Sequence, residues 1–370
     1  MLNATLARLR RSLGAIGVLG LVTAASAQDP LPQNPATVQE LPQVNVVGTT
    51  PLPGLGMPVS LVPANVQTAT SKDLDRQKTL DLVDFMNQNL TGVLINETQG
   101  NPFQQDVSFR GFTASPLLGA PEGLSVYVDG VRVNESFGDV VNWDLIPQSA
   151  IANITLMPGS NPLFGLNTLG GALSVQTKSG AQYPGTSIQA YGGSFGRRAA
   201  EFETGGSRGR FDYFLTGNWF DEDGWRDDSP SHVRQLFGKA GWQDERSDLD
   251  VSYAYADTNL NGNGLTPLDM LARFGRGAVF TVPDNTKNHL NFLNARASHF
   301  LRDDLLLAGN VYFRQLATGT FNGDANDAYQ DDYNAAVAPG GRCAGASDPD
   351  ACAAAQLAGE TAIDRHTRTV

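Results

Sequence analysis

The sequence predicts an α+β domain followed by a long antiparallel β region, and three observations favour this fold class. Residues 79–178 combine one amphipathic helix with several short strands, including a strong hairpin signal. From Gly185 onward, apolar and polar residues alternate with a period of two between regular turn signals, as in strands with one apolar face. Beyond the N-terminus, no window approaches 18 uninterrupted apolar residues, so no membrane-spanning helix is expected.

Composition narrows the class of function. Gly accounts for 40 of the 370 residues, and aromatic residues are spread along the C-terminal half, which suits a β-rich protein with many turns. The formal net charge of −12 argues against nucleic acid as a partner, because phosphate binding requires a basic face. An acidic surface is compatible with cationic or metal-bearing ligands, and solubility explains it equally well.

Residues 1–27 are typical of a secretory signal peptide. Arginines precede an apolar run over residues 13–24, and the small residues Ala25, Ser26 and Ala27 follow as a cleavage site. The apolar run is too short and too rich in glycine for a stable membrane span. Residues 28–70 are rich in proline and show little periodicity, so we expect them to form an extended leader.

The segment 71–180 predicts a small mixed α/β domain. Thr79 can cap a helix over residues 79–90, with Asp81 favourable in its first turn. Asp129 and Gly130 separate two β-prone runs, which is the strongest short-range signal for a β-hairpin. Further strands are expected at 93–96, 106–109, 151–157 and 172–177.

Seven strands with period-two alternation are predicted in residues 185–370. In the clearest of them, Leu249, Val251 and Tyr253 point to one side and the intervening polar and small residues to the other. Short turns alternate with longer loops, an asymmetry typical of outer-membrane barrels. A soluble β-sandwich shows the same alternation, and this half of the sequence alone leaves both architectures open. The predicted strands are 187–192, 197–205, 210–221, 232–243, 248–257, 290–301 and 305–316.

Three motifs occur in a diagnostic order: a strand followed by Arg110 and Gly111, the hairpin at Asp129, and a Gly-Gly pair before the strand at 172–177. With the surrounding elements they resemble the plug domain of TonB-dependent outer-membrane receptors, over roughly residues 41–316. The resemblance implies a plug at 71–180, followed from residue 185 by an antiparallel transmembrane β-barrel. Transporters that enclose a plug have 22 strands. Because only about seven are predicted here, we expect residues 185–370 to be the N-terminal part of a barrel and the chain to be a fragment of a longer product.

A short β-prone run interrupts the proline-rich leader and is similar to the TonB box of these receptors. A mobile extended segment can add to the edge of another protein's sheet through backbone hydrogen bonds. The resemblance implies that the periplasmic domain of TonB captures this run. It consists of Leu41, Pro42, Gln43, Val44, Asn45, Val46, Val47, Gly48 and Thr49.

The sequence departs from the family pattern at a cation that helps to fix the plug to the barrel wall. The family commonly has Arg-Gly-Pro after the strand before the last, and Met157, Pro158 and Gly159 occupy that place here. Arg110 remains, and we expect it to pair with an acidic residue on the inner wall. The alternative for Arg110 is a solvated side chain.

The remaining chemistry-bearing residues point to no reaction. Cys343 and Cys352 lie in a loop of an exported protein and are expected to form a disulfide. The four histidines are scattered, so no metal site is predicted, and no catalytic or cofactor-binding residue is identified. Motifs of metalloproteases, serine hydrolases and phosphate-binding loops are absent from the sequence, so we predict no enzyme and no cofactor.

The resemblance therefore implies active, TonB-dependent uptake of a scarce nutrient complex through a barrel that the plug gates. A ferric siderophore is the favoured ligand, which would make the process iron uptake. The implied partners are the periplasmic domain of TonB, outer-membrane lipid of a Gram-negative bacterium, and a small-molecule ligand such as a ferric siderophore. The alternative is a passive porin or adhesin-type outer-membrane barrel, in which no plug and no TonB-box-like leader are expected.

Overall fold

The computed structural model describes residues 46–48, 56–282, 284–323, 329–357 and 366–369. The predicted signal peptide, most of the predicted leader, and residues 41–45 and 49 of the TonB-box-like run lie outside these residues. Within the run, β1 (Val46–Val47) pairs antiparallel with β2 (Met57–Pro58). The described part of the run is therefore an extended strand.

Residues 67–177 form an α+β module that contains two small sheets. One sheet has five strands and is mixed, and the other has three antiparallel strands. The four predicted strands are confirmed. The first strand and the first helix of the module were not predicted, and the strand lies within the residues assigned to the leader. In chain order the elements are β3 (Gln67–Thr70), α1 (Ser71–Gln77), α2 (Leu82–Asn89), β4 (Val93–Asn96), β5 (Asp106–Phe109), β6 (Phe112–Ala114), β7 (Leu124–Val128), β8 (Val131–Arg132), β9 (Ile151–Pro158) and β10 (Gly171–Thr177).

The strand order places β10 at the centre of the module. The five-stranded sheet runs β3-β9-β10-β7-β8, with β7 and β10 parallel and the other neighbours antiparallel. The three-stranded sheet runs β4-β5-β6. Short 3-10 turns at Trp143–Leu145 and Gln148–Ala150 lead directly into β9. These turns lie on the side of the module that faces the rest of the chain.

The predicted helix is confirmed, but its N-cap is Asp81 and not Thr79. Asp81 Oδ1 accepts a hydrogen bond of 2.8 Å from the backbone N–H of Asp84, and the helix begins at the next residue. Thr79 instead donates its hydroxyl to the carbonyl oxygen of Asp81. Leu80, which lies between them, packs against a separate apolar cluster that contains Phe103. A side chain at the cap accepts from an N–H group that has no partner inside the helix.

One apolar core holds the module together. It lies between α2 and the two sheets, and its residues are almost completely removed from water. Both sheets contribute to it, which fixes their relative position through close packing. Its largest members from the helix are Phe85 and Met86, and the sheets supply Val93, Val107, Phe109, Val126, Ile154 and Val175.

The hairpin predicted at Asp129 and Gly130 is confirmed. Val128 lies opposite Val131, and the two residues between them have φ values of +46° and +83°. Two positive φ angles match the twist of a two-residue hairpin loop, and the dipeptide Asp-Gly adopts them readily. This turn carries the acidic side chain of Asp129 to the surface of the module, where it meets the long sheet.

The remaining strands form one long antiparallel sheet in which every strand pairs with its neighbours in sequence. All seven predicted strands are confirmed. Strands β15 to β17 are longer than predicted, because the prediction ended each strand where the clear alternation of apolar and polar residues ends. An eighth strand, β18, was not predicted. The strands are β11 (Gly185–Gly192), β12 (Arg198–Arg208), β13 (Phe211–Glu222), β14 (Ser231–Gln243), β15 (Ser247–Asn261), β16 (Asn285–Arg302), β17 (Leu305–Phe321) and β18 (His366–Thr369).

The long sheet has an apolar outer face and an inner face against which the α+β module packs. Leu249, Val251 and Tyr253 are each 40% exposed on the outer face. Ser252 and Ala254, the residues on either side of Tyr253, are buried. The same alternation holds along β13. The predicted period-two pattern is therefore confirmed as a difference in burial.

The two ends of the long sheet differ. At the short-turn end, β12 joins β13, β14 joins β15, and β16 joins β17 through two or three residues. At the long-loop end, the connection after β15 contains α3 (Leu268–Phe274), and that after β17 contains α4 (Tyr329–Val337) and α5 (Pro349–Leu357). Cys343 and Cys352 form a disulfide in the latter connection. None of the helices in the described residues is long and apolar enough to cross a membrane.

Candidate functional site

The hairpin carboxylate of the module forms an ion pair with the inner face of the long sheet. Asp129 Oδ2 lies 3.0 Å from Lys239 Nζ, and both side chains are at most 5% exposed. The backbone N–H and hydroxyl of Thr177 also donate to this carboxylate. Burial alone would raise the pKa of Asp129, but the positive charges of Lys239 and Arg296, with both Thr177 hydrogen bonds, outweigh burial and hold the pKa below its usual value.

A second ion pair joins the loop after β8 to β17. The guanidinium of Arg314 donates to both carboxylate oxygens of Glu135, at 2.9 and 2.7 Å. The two side chains are 13% and 9% exposed. Such a two-point contact fixes orientation as well as distance, because the planar donors of arginine match the carboxylate.

A third buried carboxylate, Asp144, meets the sheet through hydrogen bonds alone. Its Oδ2 accepts from Thr258 Oγ1 at 2.6 Å and from Asn288 Nδ2 at 2.9 Å, and its backbone carbonyl accepts from Gln235 at 2.7 Å. Burial raises the pKa of Asp144, and the hydrogen bonds from Thr258 and Asn288 oppose that rise. Three strands of the sheet, β14, β15 and β16, therefore converge on one acidic residue.

Apolar contacts fill the space between these polar points. Near the Asp144 contact, Val131, Leu145 and Ala150 of the module pack with inward-facing residues of the sheet. At the long-loop end, Phe103 packs edge-on against Phe220, with ring centroids 4.9 Å apart. The sheet residues in the first cluster are Phe214, Phe237, Ala254, Ala256, Leu290, Phe292 and Leu316.

Both ends of the module are also tied to the sheet. At the long-loop end, Asn101 Nδ2 donates to Ser231 Oγ at 2.8 Å and to the carbonyl oxygen of Asn261 at 3.0 Å. At the short-turn end, Lys178 Nζ lies 2.7 Å from Glu203 Oε2. The interface thus extends along the whole height of the sheet.

Beside this interface, a cleft of ≈550 Å³ separates the module from β11, β12 and β13. Lys78, Arg197 and Glu201 are among the charged residues that line it. Lys78 donates to Gln189 of β11 at 3.0 Å across the cleft. The module is therefore held tightly against β14 to β17 and loosely against β11.

The structure does not bring Arg110 to the inner face of the sheet. Arg110 is exposed at the β5–β6 turn with φ +55°, and its guanidinium lies over the ring of Phe109, 5.1 Å from the centroid. Within the described residues, no acidic side chain lies at ion-pair distance from it, so the expected pairing is not found there. At two ion pairs, acids of the module (Asp129 and Glu135) meet cations of the sheet, whereas at the short-turn end Lys178 of the module meets Glu203 of the sheet.

Sequence reasoning missed the sheet residues of the interface, although one signal was present. Lys239 falls on the same alternating phase of β14 as Val233, Gln235 and Phe237, all of which are buried. A lysine on the phase opposite to the exposed Leu236 faces the module. Its partner could not be read from the sequence, because Asp129 precedes it by more than a hundred residues.

Among the residues that the structure describes, no group of three or more His, Cys, Asp and Glu side chains is arranged to hold a metal ion. The contacts between the two structural units are ion pairs, hydrogen bonds and apolar packing.

Comparison with known proteins assigns the module to a family. Residues 58–172 match the family model for the TonB-dependent Receptor Plug Domain. The α+β module therefore belongs to the plug domains of TonB-dependent receptors. The α+β module is accordingly the plug, and the long sheet is part of the barrel wall. The wall strands do not close into a barrel within the described residues.

The proteins that this chain resembles are longer than it is. Over 156 residues it is 26% identical to the vitamin B12 transporter BtuB of Vibrio cholerae serotype O1, which covers 41% of the chain and 24% of that transporter. BauA, the ferric preacinetobactin receptor of Acinetobacter baumannii, shares the fold with a TM-score of 0.59 and 14% identity, over 75% of this chain and 42% of BauA. The open form of Fiu, a ferric-catecholate import receptor of E. coli K12, shares the fold with a TM-score of 0.58 and 15% identity. This match covers 72% of this chain and 40% of Fiu. The chain thus spans about a quarter of BtuB and two fifths of the two solved receptors.

Proposed function

We propose that this chain supplies the plug and the first wall strands of an outer-membrane receptor that takes up a scarce nutrient complex with energy delivered by TonB. The observation that carries the proposal is the buried plug–wall interface, in which Asp129, Glu135 and Asp144 meet cations and hydrogen-bond donors of the wall. A passive pore has no need of a docked domain in its lumen. A gated transporter needs one that is held in place and can be released.

The chemistry of the interface suits a gate. When two charges leave water, the cost of removing their hydration offsets much of their mutual attraction, so a buried pair contributes little net stability. A misplaced plug would leave Asp129 or Lys239 buried without its partner, which costs about 3–5 kcal/mol. The docked position is therefore specified strongly, while the net free energy that resists release stays modest.

The leader is the part through which the pull would act. We assign residues 1–27 to a signal peptide, 28–70 to the leader, 71–180 to the plug and 185–370 to the wall. In this arrangement the TonB-box-like run at 41–49 binds the periplasmic domain of TonB by strand addition. Strand β1, with its paired backbone, is compatible with such a segment. The receptor would lie in the outer membrane of a Gram-negative bacterium, with the apolar outer face of the sheet in lipid.

For the ligand we favour a ferric siderophore. BauA and Fiu are receptors for ferric siderophore-type complexes by their names, while BtuB is a vitamin B12 transporter. Ligand would bind at the long-loop end, where the plug residues Asn101 and Phe103 meet the wall. Occupancy there would bias the order of the leader, which gives two distinct sites with a coupling between them.

Uptake by the full-length receptor tests this function. Cells that express it are given a panel of radiolabelled ferric catecholates, ferric hydroxamates and cyanocobalamin. Deletion of residues 41–49 is expected to abolish uptake and leave binding at the cell surface unchanged, because the ligand site lies far from the leader. Deletion of the nine leader residues 30–38 is the matched control and should preserve uptake.

The outcomes separate the alternatives. Uptake that persists without residues 41–49 would contradict TonB dependence and favour the passive porin or adhesin. Uptake of cyanocobalamin alone would overturn the siderophore assignment and retain the transport mechanism.

A further inference from the structure

Arg226 is a buried arginine in the connection between β13 and β14, at the long-loop end of the wall. Its residue is 9% exposed. Ser229 fixes the local turn, since its hydroxyl accepts from the backbone N–H of Arg226 at 3.1 Å and donates to the carbonyl oxygen of Arg226 at 2.7 Å. The side chain is thereby directed away from this connection and toward its neighbours.

The guanidinium joins both limbs of the long loop, residues 262–282. On the outgoing limb, Nη1 donates to the carbonyl oxygens of Asn263 and Gly264, at 2.5 and 2.8 Å, and Nη2 donates to Thr266 Oγ1 at 2.7 Å. On the returning limb, Nη2 donates to the carbonyl oxygen of Ala278 at 3.0 Å. A lysine could not reproduce this set of contacts, because its single ammonium cannot direct donors to four acceptors along a planar fork.

The same guanidinium also lies against the plug. The apex loop of the plug, residues 97–105, passes so close that a Cβ added at Gly100 would be 3.2 Å from Arg226 Nη1 and 3.4 Å from the carbonyl oxygen of Asn263. One residue further, Asn101 donates to the carbonyl oxygen of Asn261, the last residue of β15 before the long loop. The guanidinium of Arg226 therefore lies between the apex loop and the long loop.

Gly262 provides a second contact between the two loops. A Cβ added there would lie 2.2 Å from Gln104 Oε1 and 3.1 Å from the Cβ of Gln99, both in the apex loop. Real Cβ atoms essentially never show the first of these distances, so a side chain at position 262 would require Gln104 to move. Gly262 thus permits a close approach of the two loops.

We propose that Arg226 is a positioning residue that couples the long loop to the apex loop, so that the two loops dock and release together. The biological meaning of this coupling rests on the proposed gate, because it would transmit occupancy of the long-loop end to the plug. The coupling itself is a property of this chain. By linkage it is reciprocal: a change that frees the apex loop also frees the long loop.

Hydrogen exchange of the full chain in detergent micelles tests the coupling without any transport assay. Arg226→Ala and Arg226→Lys are compared with Arg276→Ala, an exposed arginine within the same long loop. We expect both Arg226 variants to speed exchange about fivefold or more in residues 262–282 and also in residues 97–105. The Arg276 variant should change neither segment. Unchanged exchange in β13 and β14 shows that the variants remain folded.

Two further variants keep the test decisive. Gly262→Ala removes no hydrogen bond of Arg226 and is expected to speed exchange in residues 97–105, because its methyl group displaces Gln104. Asn101→Ala is expected to speed exchange in residues 262–282 by reciprocity. The coupling would be overturned if faster exchange stays within residues 262–282 in the Arg226 and Gly262 variants and within residues 97–105 in Asn101→Ala. Arg226 would then be a brace within the wall loops. Because transport is not measured, that failure is distinct from failure of the proposed function.

Discussion

The plug has two buried surfaces, its own core and its interface with the wall, and they differ in chemistry. The core is apolar, and its members, such as Phe85, Ile154 and Val175, are completely buried. The interface buries the carboxylates of Asp129, Glu135 and Asp144 together with their partners on the wall. Apolar packing thus stabilises the fold of the plug, whereas paired polar groups hold the plug against the wall.

The difference separates folding from docking. Apolar burial contributes about 25 cal/mol per Å² and requires no particular partner, so the core stabilises the plug wherever the plug lies. A buried carboxylate is tolerated only opposite its own cation or donors, so the interface specifies a location. Variants of the two surfaces should therefore produce separable effects.

The largest effect is expected from the core. Phe85→Ala removes a fully buried aromatic ring and leaves a cavity, and should lower the free energy of unfolding of the plug by about 3–5 kcal/mol. Hydrogen exchange should accelerate throughout residues 82–109, while wall strands β15 and β16 keep their protection. Loss of protection in those wall strands would mean that the wall depends on the plug for its own stability, which would contradict the separation.

The interface is expected to respond next. Lys239→Met leaves Asp129 buried without its nearest cation, and should weaken docking by about 3 kcal/mol, since Arg296 still provides part of the compensating charge. Exchange should accelerate in residues 129–150 and remain unchanged in the core residues 82–95. The double variant Lys239→Met with Asp129→Asn should recover most of the loss, because the uncompensated charge is gone. If it recovers none, the uncompensated charge of Asp129 is not the cause of the loss, and the other contacts with the wall hold the plug.

The smallest of the three effects is a pH dependence that distinguishes two carboxylates of the plug. Burial, with a smaller contribution from Asp84, raises the pKa of Asp81 to about 7 from an unfolded value near 4. A raised folded pKa contributes stability that is complete below about pH 4 and is lost as the pH rises toward 7. Asp129 has the opposite sign: its lowered pKa contributes stability that is present above about pH 4 and lost at more acidic pH.

The urea midpoint of the plug, measured by pulse proteolysis at pH 5 and pH 8, tests this contrast. The plug should be less stable at pH 8, by on the order of 2 kcal/mol, because about two pH units of this range lie below the raised pKa of Asp81. Asp81→Asn keeps an oxygen that accepts from the N–H of Asp84 and should abolish the difference between the two pH values. The matched variant Asp129→Asn should leave that difference intact. An unchanged pH dependence in Asp81→Asn would show that another group titrates.

Much of the fold could be predicted, because its signals are local. The dipeptide Asp129-Gly130 predicts its own hairpin, and the alternation around Val251 and Tyr253 predicts a strand and its outer face. Where prediction was wrong, a neighbour distant in sequence decided the outcome. Strand β3, which was not predicted, forms because β9 is available to pair with it.

The candidate site was much less predictable, because it is made of pairs far apart in sequence. Arg110 was expected to reach the wall, but a turn with positive φ exposes it and places it over Phe109. Lys239 and Arg314 lie on predicted strands, but no local sequence pattern indicates that Asp129 and Glu135 are their partners. The disulfide between Cys343 and Cys352 needed no such knowledge, since the two residues lie close in the chain.

By itself, the sequence determined the order of the elements, the inner and outer phases of the wall strands, and the family resemblance, since each depends on residues within a few positions of one another. Only the tertiary structure decided which charges are buried together, and that Arg226 contacts both the long loop and the plug. The physical reason is that the free energy of burying a charge or a hydrogen-bond donor depends on the groups that replace its water. Those groups are brought to it by the folded chain and not by its neighbours in sequence.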